Sequence, residues 1–106
     1  MQPRERERVH TSIPVEFTSD SLSGRGRVIN LAVSGCEIES ETPPPADAHV
    51  TLHLHIPRQQ DPLVIALAVV RWVKGAHFGV EFVRFEGSAW DQLRRMVSLL
   101  EPTDPT

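Results

Sequence analysis

The sequence contains one cysteine and no long apolar run. A single cysteine, Cys36, cannot form a disulfide within the chain, which favours a reducing compartment, so we expect a cytoplasmic protein. No stretch approaches the ~18 consecutive apolar residues that a membrane-spanning helix requires, and the N-terminus is charged, unlike a signal peptide. We therefore expect no membrane insertion.

The sequence also lacks the motifs of common active sites. It has no glycine-rich phosphate loop, no Ser/His/Asp arrangement with supporting motifs and no carboxylate pair at a predicted loop rim, so we expect neither an enzyme nor catalytic residues. His49, His53 and His55 share one face of a predicted strand, but no cysteine or carboxylate on that strand joins them. Alternating polar residues are typical of a solvated strand face, and we expect no metal and no cofactor.

Length and charge narrow the class of protein further. The chain has 106 residues, which suits one domain with one modest core. Its formal net charge is −3 and it has no obvious aromatic pairs for base stacking, so a general nucleic-acid binder is disfavoured. Five of the eleven basic residues nevertheless lie in roughly the first quarter of the chain, which predicts an anionic ligand there. These five are Arg4, Arg6, Arg8, Arg25 and Arg27.

Composition and periodicity divide the chain into a flexible Arg-rich arm at residues 1–11, a folded domain at 12–101 and a tail at 102–106. Apolar residues at helical spacing predict one terminal helix that Pro102 ends, with a buried stripe of Trp90, Leu93, Val97 and Leu100. Six strands and one helix are typical of a small all-β antiparallel barrel with a C-terminal helix as its lid. The predicted strands are Ile13–Phe17, Arg25–Ile29, Cys36–Glu39, His49–Ile56, Leu63–Val73 and Phe78–Phe85.

The segment Asn30–Gly35 (NLAVSG) lies between two predicted strands and is predicted to be a hairpin connection. Asn30 and Gly35 are its predicted turn residues, because both tolerate left-handed backbone geometry. Such a turn leaves an amide and several backbone N–H groups facing outward, which suits a ligand with base edges and phosphates.

Cys36 is predicted to be a small core residue. Trp72 is predicted to cap the barrel, with lining of the site as the alternative.

Two short motifs resemble the signature of PilZ domains, the bacterial receptors for cyclic di-GMP. Arg4 and Arg8 match the family's R-x-x-x-R, and Asn30–Gly35 is similar to its D/N-x-S-x-x-G at every specified position but one. Phe78–Phe82 resembles the Gly-Val-x-Phe of the family's last barrel strand. The resemblance covers nearly the whole chain, and it implies a six-stranded barrel with a C-terminal helix.

The same resemblance implies roles for single residues. Arg4 and Arg8 would contact guanine and phosphate, Asn30 would hydrogen-bond a guanine edge, and Gly35 would let the backbone approach the ligand. Arg6 lies inside the first motif and would add positive charge. Arginine suits these tasks because its planar, permanently charged guanidinium forms bidentate hydrogen bonds with phosphate or with a guanine edge, and it also stacks on purines.

Ala32 is the position that departs from the family pattern, which has serine there. Loss of that hydroxyl removes one hydrogen bond to the ligand, worth ~0.5–1.5 kcal/mol, or up to about tenfold in affinity. Ser34 lies two residues further on, where the backbone places its hydroxyl differently, so we expect it to substitute at most in part. We therefore expect cyclic di-GMP to bind more weakly than in a typical member of the family.

The resemblance implies a free-standing receptor that regulates motility, biofilm formation or exopolysaccharide production through an unidentified effector protein, as a monomer or homodimer. The alternative is a PilZ-like protein-interaction module in which Ala32 marks the loss of nucleotide binding. A third interpretation assigns the arm to nucleic acid, against which the acidic balance of the chain argues.

Overall fold

Alternating apolar side chains build a six-stranded antiparallel barrel. The computed structural model describes residues 9–100. The strand order is β1-β2-β3-β6-β5-β4, and pairing of β4 with β1 closes the sheet. This architecture confirms the predicted fold class. The elements are β1 (Val9–Thr18), β2 (Ser23–Ala32), β3 (Gly35–Glu39), β4 (His49–Leu54), β5 (Leu63–Lys74), β6 (His77–Phe85) and the helix α1 (Ala89–Leu100).

The interior of the barrel is filled by the inward-facing half of each strand, because successive side chains on a strand point to opposite faces. Phe17 and Phe78 are fully buried and meet edge to face, with ring centroids 5.3 Å apart. Cys36 is 2% exposed within the same cluster, which confirms its predicted place in the core.

The terminal helix packs against the barrel through Ala89, Leu93 and Val97, which are buried in the core cluster. The prediction that Trp90 belongs to this stripe is wrong, because its side chain is 42% exposed and its ring lies on Phe85 at a centroid distance of 5.4 Å. Ser88 precedes the helix, and its carbonyl accepts the first helical hydrogen bond, from the backbone N–H of Gln92.

Strand β1 begins at Val9, inside the segment predicted as the arm. Val9 is buried and pairs with Leu31, so residues 9–11 belong to the barrel. A register irregularity between His10 and Ile13 interrupts the alternation of inward and outward side chains. The sequence pattern therefore did not predict that the strand starts at Val9. The predicted arm residues Arg4, Arg6 and Arg8 lie outside the described residues, as does the predicted tail at 102–106.

The hairpin between β2 and β3 is shorter than predicted. Strand β2 continues through Asn30 to Ala32, β3 begins at Gly35, and only Val33 and Ser34 form the turn. The predicted turn roles of Asn30 and Gly35 are wrong, because neither residue has a positive φ. Asn30 instead pairs with Glu37 in the ladder, after a register irregularity between Val28 and Asn30.

Gly35 is required by close packing of two strands. A Cβ at this position would lie 2.2 Å from the carbonyl oxygen of Val80 on β6, a distance that no side chain tolerates. The glycine therefore allows β3 and β6 to approach each other at the start of their ladder.

Gly35→Ala should lower the free energy of unfolding by about 1–3 kcal/mol, because the new methyl group forces β3 away from β6. Urea unfolding followed by circular dichroism would measure the change. Ser34→Ala is the matched control, since Ser34 is exposed in the adjacent turn. A free energy of unfolding equal to that of the wild type would contradict the steric role of Gly35.

Candidate functional site

A groove with a volume of about 400 Å³ lies on the outer face of the barrel, across β2, β3, β6 and β5. Its position follows from the strand order, because β6 lies between β3 and β5 in the closed sheet. Its volume falls within the range typical of small-molecule sites. The residues that line it are Asn30, Ser34, Gly35, Cys36, Glu37, Arg71, Trp72, Gly79, Val80 and Glu81.

Four of these residues form one row across four strands. Asn30 pairs with Glu37, Glu37 pairs with Gly79, and Gly79 pairs with Trp72. Neighbouring strands are about 4.7–4.9 Å apart, so each member of the row lies beside the next. We call Asn30, Glu37, Gly79 and Trp72 the groove row. Residues far apart in the sequence thus present polar and aromatic groups to one surface.

The carboxylate of Glu37 is held on both oxygens. The Nδ2 of Asn30 donates to Oε1 at 2.9 Å, and Nδ1 of His77 lies 2.9 Å from Oε2. The Glu37 side chain is only 25% exposed, and the more distant Nε2 of His77 is 4.0 Å from Glu39. Two hydrogen-bond partners and partial burial therefore set the orientation of this carboxylate before any ligand arrives.

Trp72 lies in the groove, which overturns the prediction that it caps the barrel and supports the alternative. Its indole covers Gly79, since a Cβ on that glycine would lie 2.1 Å from the indole Nε1. A register irregularity between Val70 and Trp72 places the side chain on the outer face, where it is 42% exposed. Gly79 thus provides space for an aromatic surface that faces solvent.

The described part of the groove does not carry enough positive charge for phosphate. Arg71 is paired with Glu81, with Nε and Nη2 of the guanidinium each 2.7 Å from Oε1. Glu37 adds a second carboxylate, so the two acidic side chains outnumber the one guanidinium among the residues that line the groove. An anionic ligand therefore requires further positive charge from elsewhere in the chain.

The structure brings together three of the predicted site residues. Asn30, Ser34 and Gly35 line the groove. Ala32 pairs with Gly35 at the end of the hairpin and is 5% exposed, but it does not line the groove. Arg4, Arg6 and Arg8, the remaining predicted residues, lie outside the described residues.

Sequence reasoning missed several residues of the groove. Glu37, Arg71, Gly79 and Glu81 line the groove but were not singled out as site residues. The available signal was the alternation of β3, which places Glu37 on the outer face. The strand registers that bring Glu37 next to Gly79 cannot be read from that alternation.

Residues 9–100 contain neither a metal-binding cluster nor a membrane-spanning helix. No group of three or more His, Cys, Asp and Glu side chains in this range is arranged to hold a metal ion. His55 instead lies 3.5 Å from Glu16 on the neighbouring strand. The only helix in the same range, α1, is too short to cross a membrane.

Comparison with known proteins identifies the fold family that this barrel resembles. A family model described as PilZ domain matches residues 2–99. No curated protein matches the chain. The structure of the Bacillus subtilis inhibitor of motility (MotI/DgrA) aligns with a TM-score of 0.76 and 15% identity over 93% of this chain, which spans only 51% of that protein.

A second solved structure covers the same barrel. The PilZ domain of CeSA from a cellulose-synthesizing bacterium aligns with a TM-score of 0.71 and 17% identity, over 90% of this chain and 98% of that one. At these identities, the two likenesses establish the fold.

Gly79→Ala should displace the Trp72 indole from the groove, because the new Cβ would overlap Nε1. In a Trp90→Phe background, fluorescence reports Trp72 alone, since the chain has two tryptophans. We expect emission at longer wavelength and stronger quenching by acrylamide. Val83→Ala in the same background is the control, as Val83 is an exposed position of β6 that does not line the groove. Unchanged emission and quenching in Gly79→Ala would refute this packing.

Proposed function

This chain belongs to the PilZ domain family, and we propose that it is a receptor that binds cyclic di-GMP in the groove on the outer face of its barrel. The observation that carries the proposal is the meeting of Asn30, Ser34 and Gly35 in one groove of about 400 Å³. These residues lie in the segment that resembles the family's second signature motif. The R-x-x-x-R motif at Arg4 and Arg8 precedes the same groove along the chain.

The groove offers the groups that a guanine dinucleotide needs. Trp72 presents a solvent-facing aromatic surface on which a purine stacks, an interaction worth about 1–3 kcal/mol per base. Asn30 supplies an amide at the opposite end of the groove row from Trp72. Gly35 has no side chain, so the backbone at the hairpin end can lie close to the ligand.

The arm supplies the positive charge that the described groove lacks. Arg8 directly precedes Val9, and Val9 pairs with Leu31 beside the hairpin of the groove. The arginines at positions 4, 6 and 8 are therefore attached at the end of β1 that is next to the proposed site. Guanidinium groups form charge-assisted, often bidentate hydrogen bonds with phosphate, so they would hold the two phosphates of the ligand.

We propose that the output is regulatory binding and not catalysis. Ligand contact with the arm would neutralise its charge and order it against the barrel, which changes the surface shown to an effector protein. One of the two similar structures is of an inhibitor of motility, and the other comes from a cellulose-synthesizing bacterium. These likenesses support a role in motility, biofilm or exopolysaccharide regulation. We propose a cytoplasmic location because the single cysteine cannot form a disulfide within the chain.

Isothermal titration of the purified chain with cyclic di-GMP tests the proposal. We expect saturable binding that GTP and cyclic AMP do not reproduce, and loss of binding in Arg8→Ala and Asn30→Ala. Arg84→Ala is the matched control, because Arg84 is an exposed arginine of β6 that does not line the groove. Heat no greater than dilution for the folded wild-type chain would reject the receptor and favour a protein-interaction module.

Ala32→Ser should tighten the binding of cyclic di-GMP by up to about tenfold. Ala32 does not itself line the groove, but it pairs with Gly35, which does, so a serine hydroxyl there would add one hydrogen bond worth ~0.5–1.5 kcal/mol at the groove's hairpin end. The same titration would measure the change. Ser98→Ala is a control that alters a hydroxyl on an exposed helical position, remote from the hairpin in sequence. An unchanged dissociation constant in Ala32→Ser would show that the hydroxyl has no role in this chain.

A further inference from the structure

Glu37 is a carboxylate in the groove that phosphate recognition does not explain. It lies between Asn30 and Gly79 in the groove row. A negative charge at the centre of a site for an anionic ligand repels phosphate, so it weakens binding unless the ligand also presents hydrogen-bond donors. The part of the ligand that faces Glu37 must therefore carry N–H groups.

The Glu37 carboxylate can accept further hydrogen bonds beyond the two that the structure shows. Asn30 and His77 each occupy one of its two oxygens at 2.9 Å. An ionised carboxylate has about four acceptor sites, so each oxygen keeps one further site. Because the side chain is 25% exposed and lines the groove, those sites are accessible from the groove. The carboxylate is thus an oriented pair of acceptors.

The neighbouring indole offers a stacking surface for a base beside these acceptors. Trp72 covers Gly79, and Gly79 pairs directly with Glu37 on the adjacent strand. Adjacent strands are about 4.7–4.9 Å apart, so a purine stacked on the indole lies close enough to turn an edge toward Glu37. Stacking and edge recognition are therefore available to the same base.

Guanine presents the matching edge. Its Watson–Crick side carries two adjacent donors, N1–H and the N2 amino group, which a carboxylate accepts in parallel. Adenine presents an acceptor at N1, which the carboxylate repels. Proteins recognise bases through hydrogen bonds to this edge combined with stacking on aromatic side chains.

We infer that Glu37 is a specificity-determining residue that selects guanine by accepting hydrogen bonds from N1–H and the N2 amino group. Asn30 and His77 act as positioning residues that hold its carboxylate. This inference rests on the proposed binding of cyclic di-GMP, and it adds a residue that lies outside the two signature motifs.

Binding of cyclic di-GMP and cyclic di-IMP to the wild type and to Glu37→Gln isolates the contact between Glu37 and the N2 amino group of guanine. Cyclic di-IMP differs from cyclic di-GMP only by lacking the N2 amino groups. Wild-type protein should bind cyclic di-GMP about 10- to 100-fold more tightly than cyclic di-IMP, the range expected for a hydrogen bond to a charged group. In Glu37→Gln this preference should fall to about threefold or less, because the amide no longer provides two acceptors. Titration calorimetry would give all four dissociation constants.

The ratio of the two affinities separates recognition from a structural effect. A change in groove shape weakens the binding of both ligands equally and leaves the preference for cyclic di-GMP intact. Loss of the N2 contact instead removes this preference. Glu39→Gln is the matched control, since it removes the same charge two residues along β3, at a position that does not line the groove, and should keep the wild-type preference. Should the amide disturb folding, Glu37→Ala tests the same loss of acceptors.

The outcomes distinguish this inference from the proposed function. A folded wild-type chain that binds neither dinucleotide overturns the receptor and the role of Glu37 together. A wild type that binds both ligands equally, or a variant at position 37 that keeps the full preference for cyclic di-GMP, overturns the role of Glu37 alone.

Discussion

The pairing of β1 with both β2 and β4 closes the sheet, and the rest of the structure depends on this closure. A closed sheet has no unpaired strand edge, and the alternation of side chains, broken only at a few register irregularities, then separates an apolar interior from a continuous outer face. Apolar residues such as Phe17 and Phe78 fill the interior. The outer face remains available for binding, and its surface chemistry depends on which strands are neighbours and in which register they pair.

The groove row illustrates how that register assembles a site from distant segments. It combines Asn30, a carboxylate, a glycine and an indole from four strands. The acidic character of the groove has a physical consequence for any anionic ligand. Phosphate groups in the groove need positive charge from beyond its lining, which the proposed complex would take from the arm, whereas the bases would use the carboxylate. Affinity and base selectivity would therefore come from different parts of the chain.

Glycine has two structural roles near the groove, and neither involves a left-handed turn. Gly35 allows β3 to approach the backbone of β6, and Gly79 gives space to the Trp72 indole. Both roles concern contacts between strands. A motif position that looks like a turn residue in the sequence is thus a packing position in the fold, where the absence of a side chain serves both stability and the shape of the groove.

The sequence by itself determined the fold class. Alternation of apolar residues predicts strands and helical spacing predicts a helix, and both patterns are local, so six strands and one helix can be read directly from the chain. It also identified Asn30–Gly35 as part of the candidate site, and the core position of Cys36. Only the tertiary structure decided that Asn30 is a strand residue bonded to Glu37, that Trp72 lies in the groove and that β1 starts at Val9. The reason is that strand register is non-local. Irregularities in four of the six ladders shift which residues face one another, and no short-range pattern in the sequence records those shifts.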